Sequence, residues 1–392
     1  MRRRTRTRAC RLLMMGWLGV LLLPLTMAGG QAAEGGVEKS LELEARAAMR
    51  RSLRYLAQQQ KEDGSWRDHP AMTALVITGM MRSGREEFGP QSAPVSRGLD
   101  YIRDFAQPDG GIYDEYYASY STSICVMALL EADREEDQKI IQAARRYLLD
   151  AQADESEDIQ QEDEQYGGWG YEKHYSGKGM HRADMSNTQF ALSALHALEE
   201  AWREETLRKK GETPPEGEFP RGPCRAETKL AYRKAIRYLQ RCQNDDGGFI
   251  YRPDESKAGK SATGGLRGYG SMTYAGLKSM IYARLEPDDP RVRAAYQWAT
   301  NHWTLKENPG MDQQGLYYYY HVLAKALEVY GRDVVVDAGG TEHRWRSELA
   351  GRLLEIQRAD GSWVNQSGRW MESIPELVTA YAVLALQHAI EG

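Results

Sequence analysis

The sequence predicts an all-α protein: six concentric helical hairpins closed into a ring, an (α/α)6 toroid. Three observations predict it. First, one pattern returns six times, a helix ending in an aromatic or aliphatic pair and a Gln, then a glycine turn, then a second helix opening near a Thr. Second, strictly alternating β-branched runs are scarce, which argues against a large sheet. Third, the 392 residues are 41% hydrophobic and 27% charged, ordinary for a globular chain with a sizeable core. Self-similarity at a roughly fixed period sets the architecture, because each hairpin buries its apolar face against the next. Six hairpins closed with their second helices inside predict a central cavity.

The elements follow in order. Outer helix one, 43–61, carries Tyr55-Leu56 and Gln60. It turns at Asp63-Gly64-Ser65-Trp66 into inner helix 71–82, with Pro70 at its first turn and Thr73 ahead of an apolar run. Hairpin two pairs 95–106 with 120–131 through Asp109-Gly110-Gly111-Ile112, with Thr122 inside. Hairpin three pairs 138–152, ending at Gln152, with 186–202 through Gly167-Gly168-Trp169, where Gly168 is read as the turn glycine, and Thr188 follows. Hairpin four pairs 226–243 with 271–284 through Asp246-Gly247-Gly248-Phe249, then Thr273. Hairpin five is weaker: 290–303 with Trp298, Gly310, then 315–330 with Tyr318 where the others have Thr. Hairpin six pairs 343–358, with Gln357, to 375–389 through Asp360-Gly361-Ser362-Trp363, with Pro375 and Thr379. The turn glycines permit positive φ, and the aromatic after them packs on a neighbouring hairpin. Residues 154–164, seven acids in eleven, and the Pro-rich 203–225 read as exposed loops. Val334-Val335-Val336 reads as a β-like scrap within a loop.

Residues 1–33 lie outside this pattern. Six arginines precede an apolar run from Leu12 to Ala28, followed by small residues to Ala33. That is the order of a secretory signal peptide, and it predicts a periplasmic or extracellular protein whose domain is 34–392. The apolar run of about 17 residues leaves an uncleaved membrane anchor open. No acid lies among the first 33 residues, so losing the six arginines takes the formal charge from -5 to -11. An acidic exported chain is a poor partner for nucleic acid. Cys125 falls in an apolar run and reads as a buried, inert thiol. Cys224 and Cys242 are read as a candidate disulfide in an oxidising compartment.

These repeats resemble the Gln-Trp repeats of the terpene cyclase and protein prenyltransferase superfamily, squalene-hopene cyclase included, whose members are (α/α)6 toroids. The resemblance spans essentially the whole chain after residue 33. It implies a cavity, and it also implies what this chain does not do. Cyclases that protonate an alkene use Asp-x-Asp-Asp-Thr, with the middle Asp as acid. The matching stretch is Asp184-Met185-Ser186-Asn187-Thr188, with Ser186 at the acid position and Asn187 at the third. A hydroxyl is no strong acid, so protonation of a squalene-like alkene is not expected. Prenyltransferases hold zinc with Asp, Cys and His in turns before inner helices. The corresponding turns carry Gly270-Ser271-Met272 and Glu376-Leu377-Val378, so no metal and no cofactor are expected.

The remaining candidates form a polar rim at the inner-helix N-termini. His181, Arg182, Asp184 and Asn187 open inner helix three, and Arg267 and Tyr269 precede helix four. Tyr318 and His321 lie on helix five, and Arg369, Trp370, Glu372 and Glu376 precede or open helix six. Asp184, Asn187 and Glu376 are the catalytic candidates; the rest, with Asp184 and Asn187, are ligand-binding candidates. For Asp184 and Asn187, helix capping competes with chemistry. Six helix N-termini at one mouth would make it electropositive, reinforced by Arg182, Arg267 and Arg369, with Arg182 and His181 holding Asp184 ionised. Three readings stay open. One is a toroid binding an isoprenoid-like or other amphipathic small molecule. The second is a non-catalytic scaffold for a protein partner. The third is a glycan lyase or hydrolase, which would need two carboxylates across the cleft, such as Asp184 with Glu372 or Glu376.

Overall fold

The computed structural model describes residues 37–172, 182–211 and 224–391. The 1–33 segment, His181 and the prolines at 214–223 lie outside the described residues. Among these residues, outer helices α1 (Lys39–Gln58), α4 (Ala93–Arg103), α6 (Gln138–Asp150), α8 (Ala226–Cys242), α10 (Pro290–Asn301) and α12 (Trp345–Glu355) alternate with inner ones. The inner helices are α2 (Pro70–Ser83), α5 (Ala118–Ala132), α7 (Met185–Lys210), α9 (Gly270–Tyr282), α11 (Leu316–Tyr330) and α13 (Pro375–Ile390). A one-turn helix α3 (Arg85–Phe88) joins hairpins one and two. The inner helices pack in sequence, α2 on α5, α5 on α7, α7 on α9, α9 on α11 and α11 on α13. Helix α13 then packs back on α2, and that last contact closes the ring.

The repeated residues make the ring by a recurring set of bonds. The indole of Trp66 donates to Leu56 O at 2.8 Å, closing the turn on its own outer helix, and its backbone N–H donates to Thr73 Oγ1 at 3.0 Å. Trp169 and Trp363 repeat both bonds with Leu148 and Thr188, and with Leu353 and Thr379. Gln60 reaches across to Pro94 O at the start of α4, as Gln152, Gln243 and Gln357 reach the outer helices that follow theirs. Gly64 and Gly361 show why this turn requires glycine. Both hold φ near +90°, and a Cβ would meet Arg97 O at 2.5 Å and Arg51 C at 2.8 Å, backbone of the next outer helix around the ring.

Several sequence expectations are corrected. In hairpin three the left-handed glycine is Gly167, not Gly168. In hairpin five the Thr register falls on Tyr320, since Tyr318 lines the interior with Tyr120, Ser186, Ser271 and Leu377, each two residues before the Thr of its own helix. Helix α7 runs through Arg203–Lys210, a stretch read as loop, because charged helix formers outweigh the missing apolar stripe there. Val334–Val336 is a true strand β1, paired antiparallel with β2 (Glu342–Arg344) around a turn that Asp337 closes by accepting from Gly339 and Thr341. The polar partner strand carries no β signature, which hid the hairpin. Cys224 and Cys242 are both free thiols, so no disulfide joins them. The acidic insertion is tied down in part: Asp154 and Glu155 both pair with Lys234.

Candidate functional site: two chambers inside the ring

The centre of the ring is open. Two cavities lie along it and share one wall residue, Phe190 of α7. The first, of about 300 Å³, sits at the N-terminal ends of the inner helices and is ringed by residues from all six hairpins. Seven of them are tyrosines, Tyr117, Tyr120, Tyr171, Tyr251, Tyr269, Tyr318 and Tyr381. They lock one another edge to face: Tyr117 on Tyr171 at 5.3 Å, Tyr120 on Phe190 at 5.1 Å, and Tyr318 on Tyr381 at 5.9 Å. Met272 and Leu377 complete the apolar wall, and Ser186, Ser271 and Glu372 give it polar points. Burial pushes the phenols of Tyr171, Tyr251, Tyr269, Tyr318 and Tyr381 up, and that of Tyr120 to about 12, so they stay neutral donors.

The rim of this tyrosine chamber is strained and apolar. Tyr117, Trp370 and Met371 hold φ of 61°, 55° and 63°, left-handed conformations that cost non-glycine residues about 1–2 kcal/mol each. Their side chains stay 40–51% exposed. Trp370 lies against Gly315, where a Cβ would meet its ring at 3.1 Å, and the Arg369 guanidinium sits over the ring, 4.4 Å from its centroid.

The structure sorts the sequence candidates. Tyr269, Tyr318, Trp370 and Glu372 line the tyrosine chamber, and Ser186 faces it from the cyclase acid position. Asp184 is fully buried behind the wall residue Tyr251, with which its carboxyl interacts, and caps α7: its carboxylate accepts from Asn187 N–H and Asn187 Nδ2, both at 2.9 Å. Burial raises this carboxyl above the usual range. Arg182 does not hold it ionised, being paired with Glu164 and Asp254; the nearer cation is Arg252, at 3.9 Å. Asn187 serves the same cap. Glu376 is bound by Arg67 through two bonds of 3.1 and 3.0 Å, stitching hairpin six to hairpin one. Glu372 caps α11, accepting from Tyr318 N–H at 2.8 Å and Asn365 Nδ2 at 2.6 Å. Arg267 is exposed and donates to Ala258 O. The expected electropositive mouth is weakened. Side-chain acceptors take N–H groups of α7, α9 and α11, while α2, α5 and α13 carry no side-chain cap among the described residues, and the three arginines are engaged outside the chamber.

His321 lies elsewhere, in the second cavity. This chamber, of about 560 Å³, opens toward the C-terminal ends of the inner helices. Its apolar wall includes Leu75, Ile124, Met127 and Leu384, and its polar wall holds Arg82, His196, Lys278, His321, Lys325, Glu328 and His388. None but His321 was singled out from sequence. The signals were present, a lone Lys278 inside an apolar helix and His321, Lys325 and Glu328 at i, i+4 and i+7 on one face of α11. Burial, aided by the Lys325 charge, pulls the Lys278 amine down to about 7. Burial also keeps the imidazoles neutral, His196 at about 3 and His388 at about 4, with His321 well below its ordinary value.

With this geometry established, comparison with solved structures places the fold. The type II terpene cyclase MstE from Scytonema superposes with a TM-score of 0.53 at 13% identity, covering 89% of this chain and 99% of that one. A variant of the same cyclase, in complex with geranylgeranyl dihydroxybenzoate, gives 0.51 at 13% identity over 90% and 99%. A glycosidase in complex with glucose gives 0.52 at 13% identity over 91% and 99%. No family model and no curated protein matches the sequence. The fold is a terpene cyclase-like α/α toroid. At such identities the likeness speaks for architecture alone, and that architecture hosts more than one chemistry.

Proposed function

We propose that this toroid binds a small molecule with an isoprenoid-like or other amphipathic body in the tyrosine chamber, without alkene protonation and without zinc. The observation that carries the reading is the chamber itself: an aromatic-walled cavity of ligand size at the centre of the ring. A filled centre would have suited a scaffold. The exposed rim of Tyr117, Trp370 and Met371 offers an apolar ligand a path inward. Chemistry at the rim is limited by what the carboxylates already do. Ser186 stands where a cyclase acid would, Asp184 and Glu372 cap helices, and Glu376 holds Arg67. That commitment also disfavours a hydrolase, which needs two carboxyl groups facing the substrate. We further propose export with loss of residues 1–33, which N-terminal sequencing of the protein recovered from producing cells decides.

The binding test uses Trp370 as reporter. Titration with geranylgeraniol should quench tryptophan fluorescence saturably, and glucose should not; quenching by glucose alone would transfer the reading to glycans. Incubation with squalene should return it unchanged, and elemental analysis should find no stoichiometric zinc. A cyclised product, or one bound zinc per chain, would overturn the proposal.

A further inference from the structure

The second chamber is built for something the first is not. Three cations line it, and two are matched: Arg82 by Glu131 at 2.7 Å and Lys325 by Glu328 at 2.7 Å. Lys278 is the third. Its side chain is 3% exposed, it donates to the neutral Gln189 Oε1 at 2.6 Å, and it pairs with no carboxylate among the described residues. A buried ammonium without a counter-charge is costly unless something supplies one. Beside it, Nδ1 of His321 is buried with no hydrogen-bond partner, a second orphan on the same wall. His196, stacked on Tyr282 at 4.1 Å, adds a further imidazole to the wall. Against these polar groups stand Leu75, Ile124, Met127 and Leu384. A surface cleft shares Arg82, Lys325, Glu328 and His388 with the chamber, giving it access from outside.

We propose that this basic chamber is a second binding site, specific for a small organic anion with an apolar body, whose charged head takes Lys278 as counter-charge and the His321 imidazole as hydrogen-bond partner. The anion supplies what both orphans lack, and the apolar wall receives the rest of the molecule. Carboxylates and phosphate monoesters share this chemistry. The site is independent of ligand binding in the tyrosine chamber, because Phe190 stands between the two.

The test measures affinity for decanoate, decyl phosphate and decanol by calorimetry. The intact chain should bind at least one anion about tenfold or more tightly than the alcohol, the range expected for one charge-assisted contact. Which of the two anions wins tells carboxylate from phosphate. Lys278→Met, which removes a desolvated charge and keeps the volume, should erase that preference, while His321→Phe should reduce it. Geranylgeraniol quenching should be unchanged in Lys278→Met and should persist with decanoate bound, so failure of the tyrosine-chamber reading shows up separately. Equal binding of anion and alcohol by the intact chain would overturn the proposal. So would a preference that survives Lys278→Met, or an anion that competes with geranylgeraniol.

Discussion

The tyrosine chamber sits at the N-terminal ends of the inner helices and the basic chamber toward their C-terminal ends, with Phe190 between them. Helix dipoles alone would place anion binding at the first and leave the second to cations. The side chains reverse that order. At the N-terminal end, Asp184 satisfies the Asn187 N–H, Asn308 Oδ1 the Ser271 N–H, and Glu372 the Tyr317 and Tyr318 N–H groups. At these three of the six inner helices, donors that could have held a ligand anion are spent on the fold. At the C-terminal end, Lys278, Lys325 and Arg82 gather where the dipoles favour positive charge. The direction of a helix therefore sets where charge is welcome. The caps and the buried side chains decide what a ligand meets.

The largest expected loss of stability comes from removing the partition. Phe190 is 4% exposed and packs on Tyr120, so Phe190→Ala should cost about 3–5 kcal/mol, nearer the lower end because voids already flank it. Chemical denaturation measures the loss. If the chambers are separate because of this ring, the variant should also let decanoate compete with geranylgeraniol. Competition already present in the intact chain would break the comparison.

The next effect separates the chambers by pH. The unfolded chain holds the Lys278 proton to its ordinary value of 10.5, whereas the folded chain releases it at about 7. Between these values the unfolded state binds more protons, so stability should rise with pH across that window, by about 5 kcal/mol if the shift is fully expressed. Below pH 7 both states carry the charge and the full penalty remains. The groups facing Lys278 are Arg82 on α2, His196 on α7, Tyr282 on α9, His321, Lys325 and Glu328 on α11, and His388 on α13. The His196 and His388 imidazoles titrate well below this window, and Tyr282 is pushed above its usual range by burial. Lys278→Met should flatten the rise, read from denaturation midpoints at pH 7 and pH 10. An unchanged slope would assign the pH dependence to another group.

A smaller effect tests whether Asp184 belongs to the frame or to the site. As a cap, its replacement by Asn keeps one acceptor but sets an amide against Asn187 Nδ2, and should cost about 1–2 kcal/mol. Geranylgeraniol and decanoate affinities should hold. Loss of either with an unchanged melting temperature would restore Asp184 to the binding machinery.

The frame was legible in the sequence because its bonds repeat. Gly64 and Trp66 are spaced as Gly361 and Trp363 are. Although the distance to the Thr varies, each Thr hydroxyl, from Thr73 to Thr379, accepts from the backbone N–H that follows the glycine turn. Hairpin five lacks the Trp and Thr, and there the reading slipped from Tyr320 to Tyr318. The tyrosine chamber was partly legible, through Tyr269, Tyr318, Trp370 and Glu372, since position relative to a turn predicts which residues reach the mouth. Tyr117, Tyr120, Tyr171, Tyr251 and Tyr381 were not, because their common wall exists only once the ring has closed. The basic chamber was least legible. Lys278, His196 and His388 come from three helices far apart in sequence, and each alone reads as an oddity on an apolar face.

The smallest expected change in stability carries the sharpest test of the tyrosine chamber. Tyr318 Oη is buried in the chamber without a well-formed hydrogen bond, although Ser186 lies close enough to ease its phenol slightly against the strong upward push of burial. A buried hydroxyl left unsatisfied is a cost in the empty protein, so Tyr318→Phe should leave stability within about 0.5 kcal/mol or raise it. If the hydroxyl is there for a ligand head, the same variant should weaken binding of geranylgeraniol, whose alcohol can pair with it, by about 1 kcal/mol, roughly fivefold. A hydrocarbon of similar body without the alcohol should bind the two forms equally, because only the ring face is used. Stability and affinity then move in opposite senses at one atom, which packing cannot produce. Equal weakening for the alcohol and the hydrocarbon would mean that Tyr318 acts as wall alone, and the polar recognition in this chamber would pass to Ser186 and Ser271.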